Sequence, residues 1–239
     1  MAKKQSRPAG KGTYQSKKNP IRPLMWVTVA VIALFLVIAF INKSMESKAE
    51  PIVYDEMPSL DGQPLYGESG APVTVVEFGD YKCPSCKYWD ENIFPKLKAD
   101  YIDSGKVNYT FINTLFHGEE SVLASLASET ALAQYPEHFW DFHHALFAAQ
   151  PSNQNAQWVT MDKIRELAEN HIPNIDIESF MQALTDKTSQ AAVNADDNLV
   201  ERYKVQLTPT IMVNNVMMAD PFDYDAIRAA IEERLAAIQ

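Results

Sequence analysis

Cys83 and Cys86 are the only two cysteines in 239 residues, and only Pro84 and Ser85 separate them. Thiols at that spacing close a small ring reversibly, so the pair can store or release two electrons as a disulfide or a dithiol. Cysteines used as structural staples would be scattered, and with no third cysteine this pair cannot belong to a larger disulfide framework. The other chemistry open to two thiols is binding of a soft metal such as Cu(I). The nearest methionines in sequence are Met57 and Met161, so no third soft ligand lies close by.

The elements that must position the sulfurs can be read from the apolar pattern. A strand over residues 73–78 runs into the cysteine motif. Trp89, Ile93, Leu97 and Tyr101 then recur at helical spacing up to the stop at Ser104-Gly105. Residues 107–111 alternate as a second strand, which predicts a βαβ unit with parallel strands and the cysteines at the start of its helix. From about 115 to 203 there are only helical stripes. They are Leu123, Leu126, Ala131; Phe139, Phe142, Leu146; Met161, Ile164, Ala168, capped by Thr160; Ile177, Phe180, Met181, Leu184, capped by Asp176; and Ala192, Ala195, Leu199, Tyr203. Strand character returns at Thr210-Ile211-Met212-Val213 and Val216-Met217-Met218 around an Asn214-Asn215 turn. Tyr224, Ile227, Ile231, Leu235 and Ile238 then line a last helix. The order β-α-β, helical insert, β-β-α predicts an α/β fold with a central mixed sheet.

Residues 24–41 are eighteen in a row with only Thr28 polar, enough for one transmembrane helix. Lys3, Lys4, Arg7, Lys11, Lys17, Lys18 and Arg22 precede it without an acidic residue, which keeps residues 1–23 as a cytoplasmic tail. Residues 42–58 read as a linker and 59–239 as an extracytoplasmic domain. A cleaved signal peptide is the competing reading, with Ser47-Lys48-Ala49 before the cut; eighteen apolar residues are long for one. Residues 1–50 carry nine Lys and Arg against two Glu, net +7, so the whole-chain value of −10 leaves −17 on residues 51–239. A surface that acidic excludes nucleic acid as a partner.

Three motifs in order carry a resemblance: Glu77-Phe78-Gly79-Asp80-Tyr81-Lys82-Cys83-Pro84-Ser85-Cys86, then Phe139-Trp140-Asp141-Phe142-His143, then Thr208-Pro209-Thr210. From about residue 60 to 239 the chain resembles the DsbA-like thiol-disulfide oxidoreductases, a thioredoxin fold with a helical insertion, and most closely the membrane-anchored Bdb-type proteins of Gram-positive bacteria. The resemblance implies oxidation of unfolded exported proteins, reoxidation by a quinone-linked membrane partner, and no cofactor beyond the dithiol. A reductase or isomerase would use the same residues at a different redox poise.

Cys83, at the helix N-terminus, is then the nucleophile. Unpaired N–H groups there should lower its pKa by about two to four, a thiolate preference of about 3 to 5 kcal/mol. Cys86 resolves the mixed disulfide. Pro84 presets helical φ, and the Ser85 hydroxyl can donate to the thiolate, where strongly oxidising relatives often carry His. Glu77, six residues before Cys83, matches a buried Glu implied to relay protons to Cys86; the alternative is a carboxylate on a half-exposed strand. Pro209 matches a cis-proline facing the cysteines, with the Thr208 backbone pairing with substrate. Leu207 stands where many relatives have Gly and should narrow the substrate groove. No metal ligands are assigned: His138, His143 and His144 lack the i, i+4 spacing of a zinc helix and read as packing and surface. Glu119, Glu120, Asp196, Asp197 and Asp220 read as a solvated acidic face, and the Phe139, Trp140, Phe142 cluster as core.

Overall fold

The computed structural model describes residues 31–35, 37–38 and 50–238. Residues 31–35 are helical; among the described residues no helix is long and apolar enough to cross a membrane. The expected tail over 1–23, and most of the expected span over 24–41, lie outside the described residues.

The folded unit is built on a six-stranded sheet: β1 (Ile52–Val53), β2 (Leu65–Tyr66), β3 (Val73–Gly79), β4 (Val107–Asn113), β5 (Thr210–Val213) and β6 (Val216–Met217), in the order β1-β6-β5-β3-β4-β2. β3 and β4 are parallel and in step, Val73 beside Val107 through Gly79 beside Asn113; every other pairing is antiparallel. All seven residues of β3 and all seven of β4 are buried, because helices cover both faces. Strand alternation sorts them nonetheless. Val73 and Val75 pack with Trp89, Leu97, Tyr109, Ile227 and Ile231 on one face, while Val76, Phe78 and Ile112 pack with Val200, Tyr203 and Met212 on the other. Glu77 is in phase with Val73 and Val75, hence on the face covered by the cysteine helix.

That helix, α1 (Pro84–Asn92), stops sooner than the spacing of Trp89, Ile93, Leu97 and Tyr101 predicts. Pro95 has no N–H to continue the ladder, so the chain closes at Ile93, restarts as α2 (Phe94–Leu97) and ends in a π turn over Lys98–Ile102. All four predicted positions are buried regardless, since the bend is gentle enough to keep one face on the sheet. Gly105, at φ +70°, supplies the left-handed residue that lets the chain turn into β4.

The insert is five helices: α3 (Glu119–Gln134), α4 (Phe139–Ala148), α5 (Met161–His171), α6 (Ile177–Thr185) and α7 (Gln190–Arg202); α8 (Tyr224–Ala236) closes the chain. Thr160 and Asp176 cap α5 and α6 by accepting the N–H groups of Lys163 and Ser179. Of the stripe predicted for α7, Leu199 packs on the core and Tyr203 is buried, but the first half is one residue out of register. Val193, Asp196 and Val200 face inward, whereas Ala195 faces solvent. Asp196 is therefore 1% exposed, not part of a solvated face; its carboxylate accepts from Gln63, from the Asn113 backbone N–H and from the Asn113 side chain. Residues 52–53, inside the expected linker, add β1 to the sheet edge, and Asn215 of the β5–β6 turn holds the following Tyr54 through its carbonyl.

Candidate active site

Cys83 is the N-cap of α1 and Pro84 its first residue, where a missing N–H costs nothing. The motif is held from three sides. Cys83 N–H donates to the Asp80 carbonyl at 2.9 Å, Lys87 N–H donates to the Cys83 carbonyl at 3.2 Å, and Gln150 Nε2 donates to the carbonyls of both Tyr81 and Cys83. Asp80 is itself a buried hub. One carboxylate oxygen accepts Lys82 N–H at 2.8 Å, and the other accepts the N–H groups of Phe116 and His117 and the Ser121 hydroxyl, with His117 Nδ1 at 2.7 Å. The loop entering the cysteines is thereby tied to the start of the insert. Sequence reasoning passed over Asp80, although an acid directly after an apolar strand was the available signal.

Cys83 and Cys86 are both buried, free thiols. Their environments differ sharply. Cys83 keeps a sliver of exposure, 6%, and its pKa falls from about 9 to about 6. The largest cause is a hydrogen bond from the Cys86 thiol, opposed by burial and reinforced by the Thr208 hydroxyl and the backbone N–H groups of Cys86 and Ser85. Cys86 is fully buried, and that burial pushes its pKa up, helped by its hydrogen bond to Cys83 and by the nearby Glu77. Asp80 N–H lies 3.4 Å from Cys86 Sγ. Ser85 is exposed at the first turn, and what it offers the thiolate is its backbone N–H rather than its hydroxyl.

Beneath α1, Glu77 is buried, which removes the half-exposed alternative. Desolvation raises its pKa well above the ordinary carboxyl value despite the Tyr109 hydroxyl, which donates to Oε2 at 2.7 Å; Oε1 has no partner among the described residues. Gly79 explains how the carboxyl fits. A Cβ there would lie 2.2 Å from the Phe111 ring and 2.9 Å from Glu77 Oε1, so only a residue without one leaves room. Tyr109 was missed in the sequence because its role depends on the β3–β4 register, which sets Val75 beside Tyr109 and Glu77 two residues on, beside Phe111.

The Thr208–Pro209 bond is cis, and the Thr208 carbonyl lies 3.4 Å from Cys83 Sγ. The stretch 207–210 thus sits against the sulfur across the end of the sheet. Beside it opens a groove of about 500 Å³ lined among others by Tyr54, Leu207, Pro209, Met217 and Met218. Leu207 is 58% exposed and is one of the apolar residues that line this groove.

Of the other candidates, Phe139 and Phe142 are core as expected. Glu120 is not a solvated acid: it pairs with Lys82 Nζ at 2.6 Å and accepts the N–H groups of Trp158 and Val159. His143 is buried against Tyr81 and Phe111, and His144 pairs with Asp90.

A family model described as thioredoxin matches residues 59–233. Disulfide bond formation protein D of Bacillus subtilis is 45% identical over 178 residues, 74% of this chain and 79% of that protein. A probable disulfide bond formation protein D of Bacillus anthracis is 34% identical over 209 residues, 87% of this chain and 92% of that protein. The crystal structure of oxidised BdbD from Bacillus subtilis superposes with a TM-score of 0.74 at 42% identity, covering 79% of this chain and all of that one.

Proposed function

This chain belongs to the disulfide bond formation protein D family of thioredoxin-fold proteins, and on that premise we propose how its residues carry out the reaction. It is a thiol-disulfide oxidoreductase that forms disulfide bonds. The observation that carries the mechanism is the asymmetry of the two thiols: Cys83 at about 6, Cys86 pushed up by burial. In the oxidised enzyme a substrate thiolate attacks Cys83 Sγ. The Cys83–Cys86 bond breaks, and Cys86 departs with the electron pair and takes a proton. A second substrate thiolate then attacks the substrate sulfur of the mixed disulfide and expels Cys83, whose low pKa makes it a good leaving group. The substrate leaves with a disulfide and the enzyme holds two more electrons.

Glu77, a carboxyl kept protonated by burial on the face under α1, supplies the proton to Cys86. Pro84 and the Ser85 N–H tune Cys83. The backbone of Thr208 next to Pro209 receives the substrate as an added strand, its side chains resting on the apolar groove at Leu207. Residues 24–41 anchor the chain in the membrane as a single span with residues 1–23 on the cytoplasmic side and the domain from residue 59 outside, joined by residues 42–58. That reading rests on eighteen consecutive apolar residues behind a wholly basic tail. The electrons pass to a quinone-linked membrane partner, and the substrates are unfolded exported proteins. The Cu(I) and reductase readings are not favoured, since the relatives that span most of this chain are named for disulfide formation.

The test is turnover on a reduced, unfolded substrate together with equilibration in glutathione buffers. Cys83→Ser should abolish oxidation, and Cys86→Ser should accumulate mixed disulfides. A potential near that of thioredoxin, about −270 mV, would assign the protein to reduction instead.

A further inference from the structure

Away from the sulfurs, α1 and α4 bring three metal-type donors together. His144 Nδ1 lies 2.7 Å and His143 Nε2 3.7 Å from the same oxygen, Asp90 Oδ1, with one donor atom of each residue within 4.8 Å of the other two. Two features set this apart from an ordinary surface ion pair. His143 is 1% exposed, yet its Nε2, which faces Asp90, has no hydrogen-bond partner among the described residues. A buried nitrogen left so is destabilising unless something takes its lone pair or its proton. Its other nitrogen, Nδ1, is 2.8 Å from the Tyr81 hydroxyl oxygen. An Nδ1–H donated to Tyr81 leaves Nε2 as a bare donor, the second-shell arrangement that orients a metal-binding imidazole.

We propose that Asp90, His143 and His144 form a binding site for a divalent cation of the zinc class. Two imidazoles and a carboxylate suit borderline ions, whereas calcium and magnesium take oxygen ligands. Bonds of about 2.0 to 2.2 Å at tetrahedral angles place donor atoms about 3.4 Å apart. The His143–Asp90 separation of 3.7 Å is already close to that, and the His144–Asp90 contact of 2.7 Å has to open by a fraction of an ångström. The His144 side chain is 36% exposed, so the ion enters from that side and water fills the fourth position. His138, grouped with these histidines in the sequence, lies beside Asp141 at 3.5 Å and takes no part. The sequence could not reveal the site, because its third ligand comes from a helix more than fifty residues away. Asp90 is also in the cysteine helix, so a bound ion would pin α1 to the insert.

The experiment is calorimetric titration of the full chain with Zn²⁺, with Cys83 and Cys86 first oxidised to the disulfide so that thiols cannot bind the ion. One ion per chain is expected, with His144→Ala and Asp90→Asn each weakening binding at least tenfold. Unchanged circular dichroism will show that these variants fold. Co²⁺ in place of Zn²⁺ should give the visible bands of a tetrahedral nitrogen and oxygen site, lost in His144→Ala. Absence of one-to-one binding, or wild-type affinity in either variant, overturns the proposal.

Discussion

The ranking of causes at Cys83 predicts the effect of Cys86→Ala. The Cys86 thiol makes the largest contribution to holding Cys83 at about 6, ahead of the Thr208 hydroxyl and the backbone N–H groups. A hydrogen bond to a charged group contributes about 1.5 to 3 kcal/mol, equivalent to about one to two pH units at about 1.36 kcal/mol each. Cys86→Ala should therefore move Cys83 to between about 7 and 8. The assay is the ultraviolet absorbance of the thiolate followed against pH, checked by the pH dependence of alkylation by iodoacetamide. A Cys83 pKa still at 6 in the variant would refute the reasoning and give the stabilisation to the helix N-terminus alone. The same numbers correct the 3 to 5 kcal/mol expected from the sequence. At pH 7 a thiol of pKa 6 gains only about a factor of ten over one of pKa 9, about 1.4 kcal/mol or about 30 mV of oxidising strength. The whole difference, about 4 kcal/mol, develops only above pH 9.

Three further outcomes follow from buried groups and from the groove. Glu77 has a folded pKa raised above about 4.5, so its contribution to stability is intact below that pH and is lost as pH rises toward the folded value. Glu77→Leu should thus unfold at higher urea than the parent at pH 8, by about 1 to 3 kcal/mol, and gain little at pH 4; an equal difference at both would count against a buried neutral carboxyl. Glu120→Ala strips Lys82 of its carboxylate and leaves two N–H groups without an acceptor. Because Glu120 is partly exposed, the loss should be about 2 kcal/mol in chemical denaturation rather than the larger cost of a sealed pair. Leu207→Ser removes an exposed apolar contact from the groove and should raise KM for an extended substrate several-fold, about 1 kcal/mol, with kcat unchanged; a fall in KM would mean that Leu207 obstructs the groove.

The spacing of two cysteines, a strand before them and a helix after them already determined the redox pair and the βαβ unit, because period and punctuation are local properties of the chain. The five insert helices, the caps at Thr160 and Asp176, and the Asn214-Asn215 turn were legible for the same reason. The face of α7 was legible only at its Leu199 and Tyr203 end. Alanines at 192 and 195 carry almost no burial signal, so the register passed to Val193, Val200 and the buried Asp196 only when the helix met β4. The break at Pro95 was written in the sequence but outweighed there by an unbroken apolar spacing. What only the tertiary structure decided were meetings between distant segments: Tyr109 on Glu77, Asp80 as the knot between motif and insert, Thr208 against Cys83, and Asp90 with His143 and His144. Each depends on strand register or on which helices pack side by side. Those are set by the summed burial of many residues, and no single stretch of sequence contains them.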